Sequence, residues 1–337
     1  MHDLVIVGGG PAGLSAALAA KRRGLNYLVL ERGAVADTIT RFPIAKKLFS
    51  TANELELRTG DLDAGYKPTR EELLDYYYGV VIREGLNIKP GVDVEEIDST
   101  GSYLTISSSA GVLNSRTVVV AVGGFGIQRR LDVSGENPAT VSYRFAEVYP
   151  SARTRVLVVG GGNSAAESAL SLAETGARVT LSVRRSSLDL PPTQGDGLTP
   201  QRAQIKPWVR GPLDRAINEG KINLMLSSKV VEIGPGFALL EREGDDEQRN
   251  VRFERIECDH TFALIGADPD TRLLTGAGAR IAPDGRPVYD TETFETTVPR
   301  LYVAGHLTRE RHIKNAISIA RRVVERLGAK VLERCEV

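Results

Sequence analysis

Near the start of the chain, Leu4-Val5-Ile6-Val7-Gly8-Gly9-Gly10 forms a motif that returns 152 positions later as Val156-Leu157-Val158-Val159-Gly160-Gly161-Gly162. The likeness runs past the glycines: Ala17-Leu18 matches Ala169-Leu170, Gly24 matches Gly176, and Tyr27-Leu28-Val29-Leu30 matches Val179-Thr180-Leu181-Ser182. In each copy an apolar β-rich run meets a glycine turn, then an Ala/Leu-rich stretch at helical spacing, then a second apolar run. That order is a βαβ unit, and two copies commit a chain of 337 residues to an α/β fold of about two domains.

Composition removes several alternatives. Lys plus Arg and Asp plus Glu both number 43, so the chain has no long-range attraction for nucleic acid or an anionic membrane, and neither is expected as a partner. The cysteines, Cys258 and Cys335, stand far apart with no CxxC pair. No disulfide framework is expected, no metal site either, and a reducing, cytoplasmic location is the default. The apolar start, 4–20, carries Asp3 where a leader would be basic, and Gly8 to Pro11 interrupt it, so it reads as strand, turn and helix. No apolar run approaches the ~20 residues that span a bilayer.

Between the copies, 92–97, 103–107 and 116–122 read as strands of a small antiparallel layer returning to the sheet. The stretch 69–82 reads as a helix, with Thr69 as N-cap and Glu72 closing a capping box. Pro191, Pro192, Pro200, Pro207 and Pro212, with Gly195, Gly197 and Gly211, predict an irregular excursion over 188–212. Further on, 241–250 reads as a solvated hairpin tip, 300–304 as a buried strand and 313–327 as an amphipathic helix.

The turns themselves indicate ligands. In Gly8-x-Gly10-x-x-Gly13 the first glycine permits the tight turn, the second lets backbone approach a diphosphate, and the third lets helix and strand pack closely. The helix N-terminus then offers free N–H groups and the positive end of its dipole to the anion. Glu31 ends the second strand, where a carboxylate accepts hydrogen bonds from both ribose hydroxyls of an adenosine. The second copy reads Gly160-x-Gly162-x-x-Ala165, and Val183 occupies the place of Glu31, followed at once by Arg184 and Arg185. Guanidinium groups grip a 2′-phosphate that a carboxylate would repel, so NADPH is favoured over NADH. One carboxylate-type and one arginine-type site imply a bound FAD reduced by NADPH. The expected architecture is two Rossmann-like, ββα-decorated dinucleotide-binding domains, the second inserted in the first. The FAD-binding domain would comprise 1–121 with 264–337, and the NADPH-binding domain 122–263.

Taken together with Val118-Val119-Val120-Ala121-Val122-Gly123, Phe262-Ala263-Leu264-Ile265-Gly266-Ala267-Asp268-Pro269 and Leu301-Tyr302-Val303-Ala304-Gly305-His306, these turns make the chain resemble the thioredoxin reductase-like flavoproteins over nearly its whole length. Within them, Phe49-Ser50-Thr51, Lys67-Pro68-Thr69-Arg70 and Ile205-Lys206-Pro207-Trp208 resemble the bacillithiol disulfide reductase family. The resemblance implies that Pro11, Ala12, Arg32, Ser50, Val94, Gly123, Gly305, Asn315 and Ala316 join Gly8, Gly10, Gly13 and Glu31 at FAD. It implies that Asn163, Ser164, Ile265 and Gly266 join Gly160, Gly162, Ala165, Arg184 and Arg185 at NADPH. It also implies a homodimer.

Departures from the resemblance bear on the chemistry. Where thioredoxin reductases carry a redox CxxC, this chain has 141–147 without sulfur, and where the bacillithiol-reductase-like proteins place a cysteine in the first glycine turn it has Ala12. No redox cysteine pair exists, so the flavin itself is the expected redox centre and no catalytic side chain is assigned. Cys258, expected in a strand, and Cys335 in the tail are poor substitutes. His306 stands where those families have Asp; both a cofactor contact and an incidental neighbour fit it. Three functions remain open: an NADPH-dependent flavin oxidoreductase acting on a small-molecule acceptor such as a low-molecular-weight disulfide; a reductase of ferredoxin or flavodoxin, small redox proteins that would dock on a basic face with Arg41, Lys46 and Lys47; and a nucleotide-binding redox sensor.

Overall fold

A computed structural model describes residues 1–189, 204–243, 250–310 and 312–333. The chain divides into two compact units, one of residues 1–127 with 267–337 and one of residues 128–266.

The first unit is built on a seven-stranded sheet. Strand β1 (His2–Val7) lies between β2 (Tyr27–Glu31) and Gly111–Val120, parallel to both, with Ile88–Pro90 and Leu301–Val303 extending the parallel part. Helix α1 (Pro11–Arg22) makes the crossover between β1 and β2. Alternate residues of β1 enter two different cores. Leu4 and Ile6 pack with α1 and the C-terminal helix Ile313–Glu333, while Val5 and Val7 pack with Val94, Ile106 and Leu301 on the other face. Both faces are covered, which is why the strand reads as an unbroken apolar run rather than an alternating one. α1 is held against the C-terminal helix by the buried Ser15 hydroxyl, which donates to the Ile317 carbonyl at 2.8 Å.

The antiparallel layer forms as Val94–Asp98, Leu104–Ser108 and Gly111–Val120. The last strand begins five residues earlier than the apolar run predicts, because Gly111 at φ +106° closes a tight hairpin pinned by Ser108 Oγ on the Gly111 carbonyl. Helix Arg70–Arg83 opens on the expected Thr69/Glu72 capping box.

The second unit repeats the first motif in register. Strand β3 (Arg155–Val159), helix α2 (Asn163–Glu174) and strand β4 (Arg178–Ser182) form another parallel βαβ crossover, and α2 spans the residues 152 positions beyond those of α1. The sheet continues through Ile222–Met225 on one side and His260–Ala263 on the other. A separate antiparallel meander comprises Ser228–Gly234, Phe237–Glu243 and Val251–Glu257, whose connecting tip, 244–249, lies outside the described residues.

Two expectations need correction. Pro191, Pro192, Pro200, Gly195 and Gly197 fall outside the described residues, but 207–212 is not irregular: it opens helix α3 (Pro207–Asn218). Pro207 sits in the first turn, where its missing N–H costs nothing, and Lys206 before it is extended, as the residue preceding a proline prefers. Pro212 inside the helix costs about 3 kcal/mol. Burial of Val209 and Leu213, at about 1.5–3 kcal/mol each, offsets that cost. Cys258 is also not in a strand; it lies between Val251–Glu257 and His260–Ala263.

Candidate dinucleotide sites

In the first turn the outer two glycines of the motif each meet a steric limit. Gly8 has φ +109°, and a Cβ there would stand 2.6 Å from the Ala121 carbonyl oxygen; a Cβ on Gly13 would stand 1.8 Å from the Gly8 carbonyl oxygen. Both are closed to any side chain. Gly10 differs, because its Cβ position faces open space with nothing within 4 Å. It caps α1 without any side-chain cap. Helices Ala52–Leu55 and Arg70–Arg83, by contrast, both begin on Thr/Glu capping boxes. No cap side chain takes the first-turn amides of α1, the arrangement an anion-binding helix start requires. Glu31 is folded onto this turn: Oε2 accepts from the Gly9 N–H at 2.5 Å and Oε1 from the Gly33 N–H at 2.7 Å. Arg32 is exposed beside it.

Three of the other residues expected at FAD converge from distant parts of the first unit. Gly305, at φ +73°, would place a Cβ 3.0 Å from the Ala12 Cβ and 4.0 Å from the Ala316 Cβ, so three small residues from three segments meet at the start of α1. Gly123 has φ +83° and is unobstructed. Asn315 donates through Nδ2 to Glu310 Oε2 at 2.5 Å. Ser50 precedes the Thr51 capping box. Val94 stands apart, in the core, while the Val92 N–H reaches the Glu31 carbonyl at 2.9 Å.

Sequence reasoning missed three residues around His306. A Cβ on Gly124 would come within 2.9 Å of the His306 carbonyl oxygen, Phe125 meets the His306 ring edge-on at 5.8 Å, and Arg286 Nη1 donates to the His306 carbonyl at 2.8 Å. Arg286 also donates to the Thr308 carbonyl, so one guanidinium braces the backbone that presents His306. The run Gly123-Gly124-Phe125-Gly126 was a legible signal of a close approach. Arg286 had none.

The second turn repeats the geometry with the opposite electrostatics. Gly160, at φ +142°, would place a Cβ 2.5 Å from the Leu264 carbonyl oxygen, and its N–H donates to the Ser182 carbonyl at 3.0 Å, as the Gly8 N–H does to the Leu30 carbonyl at 2.8 Å. Gly162 is open like Gly10 and caps α2 with no side-chain cap. Ala165, fully buried, occupies the third-glycine position, and Ser164 is exposed in the first turn of α2. Arg185 Nη2 donates to the Gly161 carbonyl at 2.5 Å. Gly161 is the counterpart of Gly9, so the same glycine is held through its N–H by an acid in one copy and through its C=O by a base in the other. Arg184 is exposed. Ile265 is half-buried and Gly266, at φ +93°, accepts at its carbonyl from Gln128 Nε2 at 2.7 Å and the Arg129 N–H at 3.1 Å.

Cys258 offers no nucleophile: it is 4% exposed, and burial pushes its thiol above the ordinary cysteine range. Cys335 lies outside the described residues. Among the described residues, no helix is long and apolar enough to cross a membrane.

Two glycine turns on parallel βαβ units, each leading into an uncapped helix, define a two-domain oxidoreductase of the flavin- and pyridine-nucleotide-binding class. The pyridine nucleotide-disulphide oxidoreductase family model matches residues 5–305, and the chain belongs to that family. Its cofactors are FAD and a reduced pyridine nucleotide. The chain is 31% identical over 306 residues to the bacilliredoxin reductase Bdr of Bacillus subtilis (strain 168), covering 89% of this chain and 88% of that one. It superimposes on the bacillithiol disulfide reductase Bdr of Staphylococcus aureus with a TM-score of 0.86 at 29% identity, covering 98% of each chain. The thioredoxin reductase of T. acidophilum shares the fold, at a TM-score of 0.75 and 22% identity over 98% of this chain and 99% of that one.

Proposed function

We propose that the protein is an NADPH-dependent FAD reductase of a low-molecular-weight disulfide, with FAD on the first unit and NADPH on the second. The observation that carries the assignment of the two sites is the contrast between Glu31, folded onto Gly9 in the first copy, and the exposed Arg184 in the second, where Val183 replaces the acid. A carboxylate at the turn suits free ribose hydroxyls; guanidinium groups there suit a 2′-phosphate. The disulfide is proposed from the likeness to the bacillithiol disulfide reductase Bdr. The net reaction, NADPH plus H⁺ plus disulfide to NADP⁺ plus two thiols, balances with no protein sulfur, in keeping with Ala12 in the turn and the inert Cys258.

FAD, when bound, supplies the two-electron relay. The chain supplies the rest: uncapped amides of α1 for one diphosphate, those of α2 for the other, Glu31 for the ribose, Arg184 for the 2′-phosphate, and the small residues Ala12, Gly305 and Ala316 for close approach of a ring. The reading also takes the protein to be cytoplasmic and homodimeric, the latter checked by sedimentation.

The test is anaerobic mixing. NADPH should bleach the visible flavin absorbance, and an oxidised bacillithiol-type disulfide should restore it rapidly. Recovery only with ferredoxin or flavodoxin would favour electron transfer to a redox protein instead; that reading draws little from Arg41, which is paired with Asp37. Absence of bleaching would defeat both.

A further inference from the structure

The motif Ile205-Lys206-Pro207-Trp208 has no part in the function so far, yet it lies beside the second glycine turn. Asn163 opens α2 but does not cap it. Its side chain instead holds another segment with both amide atoms: Nδ2 donates to the Gln204 carbonyl at 3.2 Å, and Oδ1 accepts from the Lys206 N–H at 2.9 Å. The first copy has Pro11 at the corresponding position and can form no such tether.

The tether holds the backbone of Gln204 and Lys206, which leads into α3, against the uncapped start of α2. Lys206 Nζ lies 5.9 Å from the centroid of the Trp208 ring, and Lys206 forms no ion pair with a carboxylate among the described residues. Trp208, in the first turn of α3, is 52% exposed. A half-exposed indole with an ammonium over its ring suits a planar ligand carrying negative charge. Val209 and Leu213 anchor α3 in the core, so Trp208 in its first turn stands on an anchored element, with Lys206 at the N-cap.

We propose that Lys206 and Trp208 belong to the pyridine-nucleotide site: the ammonium faces the diphosphate at the start of α2, the indole receives a ring of the dinucleotide, and Asn163 positions both. This rests on the assignment of the second turn to NADPH. It adds to that turn a lysine that the flavin turn lacks.

Trp208 is the only tryptophan in the chain and therefore reports its own surroundings. NADP⁺ titrated into the FAD-loaded protein should quench tryptophan emission saturably, with the dissociation constant found by calorimetry. Lys206→Ala should weaken NADP⁺ binding about tenfold, as expected for one charge-assisted contact, without changing the melting temperature. Asn163→Ala should weaken both the quench and the binding, and Trp208→Phe should retain binding better than Trp208→Ala. If NADP⁺ binds by calorimetry while the emission stays constant and Lys206→Ala binds as tightly as the parent, the inference is overturned and the site assignment survives. If the parent protein binds no NADP⁺ at all, the assignment beneath it falls as well.

Discussion

Arg184 and Arg185 are neighbours in sequence but not in role. Arg185 is spent on the Gly161 carbonyl, whereas Arg184 stays exposed at the turn. Arg184→Ala should therefore raise the KM for NADPH about tenfold and leave that for NADH nearly unchanged, whereas Arg185→Ala should loosen the turn and weaken both nucleotides alike. Steady-state kinetics with the two reductants separates the cases, and equal effects of Arg184→Ala on both would remove the 2′-phosphate assignment. Glu31→Ala should reduce FAD retention, read as the flavin-to-protein absorbance ratio after gel filtration. Cys258 makes the opposite kind of prediction. Its thiol is raised by burial, so in a Cys335→Ser background alkylation at mildly alkaline pH should be slow until the protein unfolds, and Cys258→Ser should leave NADPH-driven flavin reduction intact.

At the scale of elements, the two βαβ units were legible because their signal is local: apolar runs, glycine spacing and an Ala-rich helix follow one another in sequence. The start of α3 was not, because Pro207, Gly211 and Pro212 announce a break while the stripe of Val209, Leu213 and Ala216 decides the outcome through tertiary burial. Contacts such as Arg185 on Gly161, Arg286 on the His306 carbonyl and Asn163 on Gln204 join residues 20 or more positions apart, and no spacing rule encodes them. The glycines of the first turn also separate into kinds that sequence treats alike. Gly13→Ala forces a methyl against the Gly8 carbonyl and should cost several kcal/mol of stability, seen as a lowered denaturation midpoint. Gly10→Ala meets nothing in the protein and should fold normally, yet on the proposed binding mode it should retain FAD poorly, because the methyl would enter the space of the diphosphate. The second copy tolerates Ala165 at the place of Gly13, with its methyl 3.2 Å from a Cβ position on Gly160.

For the whole molecule, the important fact is where the open helix starts sit. α1 lies in the middle of the first unit's core, with Leu14, Ala16, Ala17 and Ala20 buried and Ser15 bonded to the C-terminal helix. Whatever binds at its N-terminus is coupled to that core by linkage, and a ligand at a hundred times its dissociation constant adds about 2.7 kcal/mol. Flavin-stripped protein should melt several degrees below the loaded form, with FAD and not NADP⁺ restoring the loss, as circular dichroism would record. Helices Ala52–Leu55 and Arg70–Arg83 carry their own stoppers and need no such help. In a cell short of flavin, newly made chains would thus reach a state with its central pillar left unfinished, so the supply of one vitamin-derived molecule would govern how many copies survive quality control.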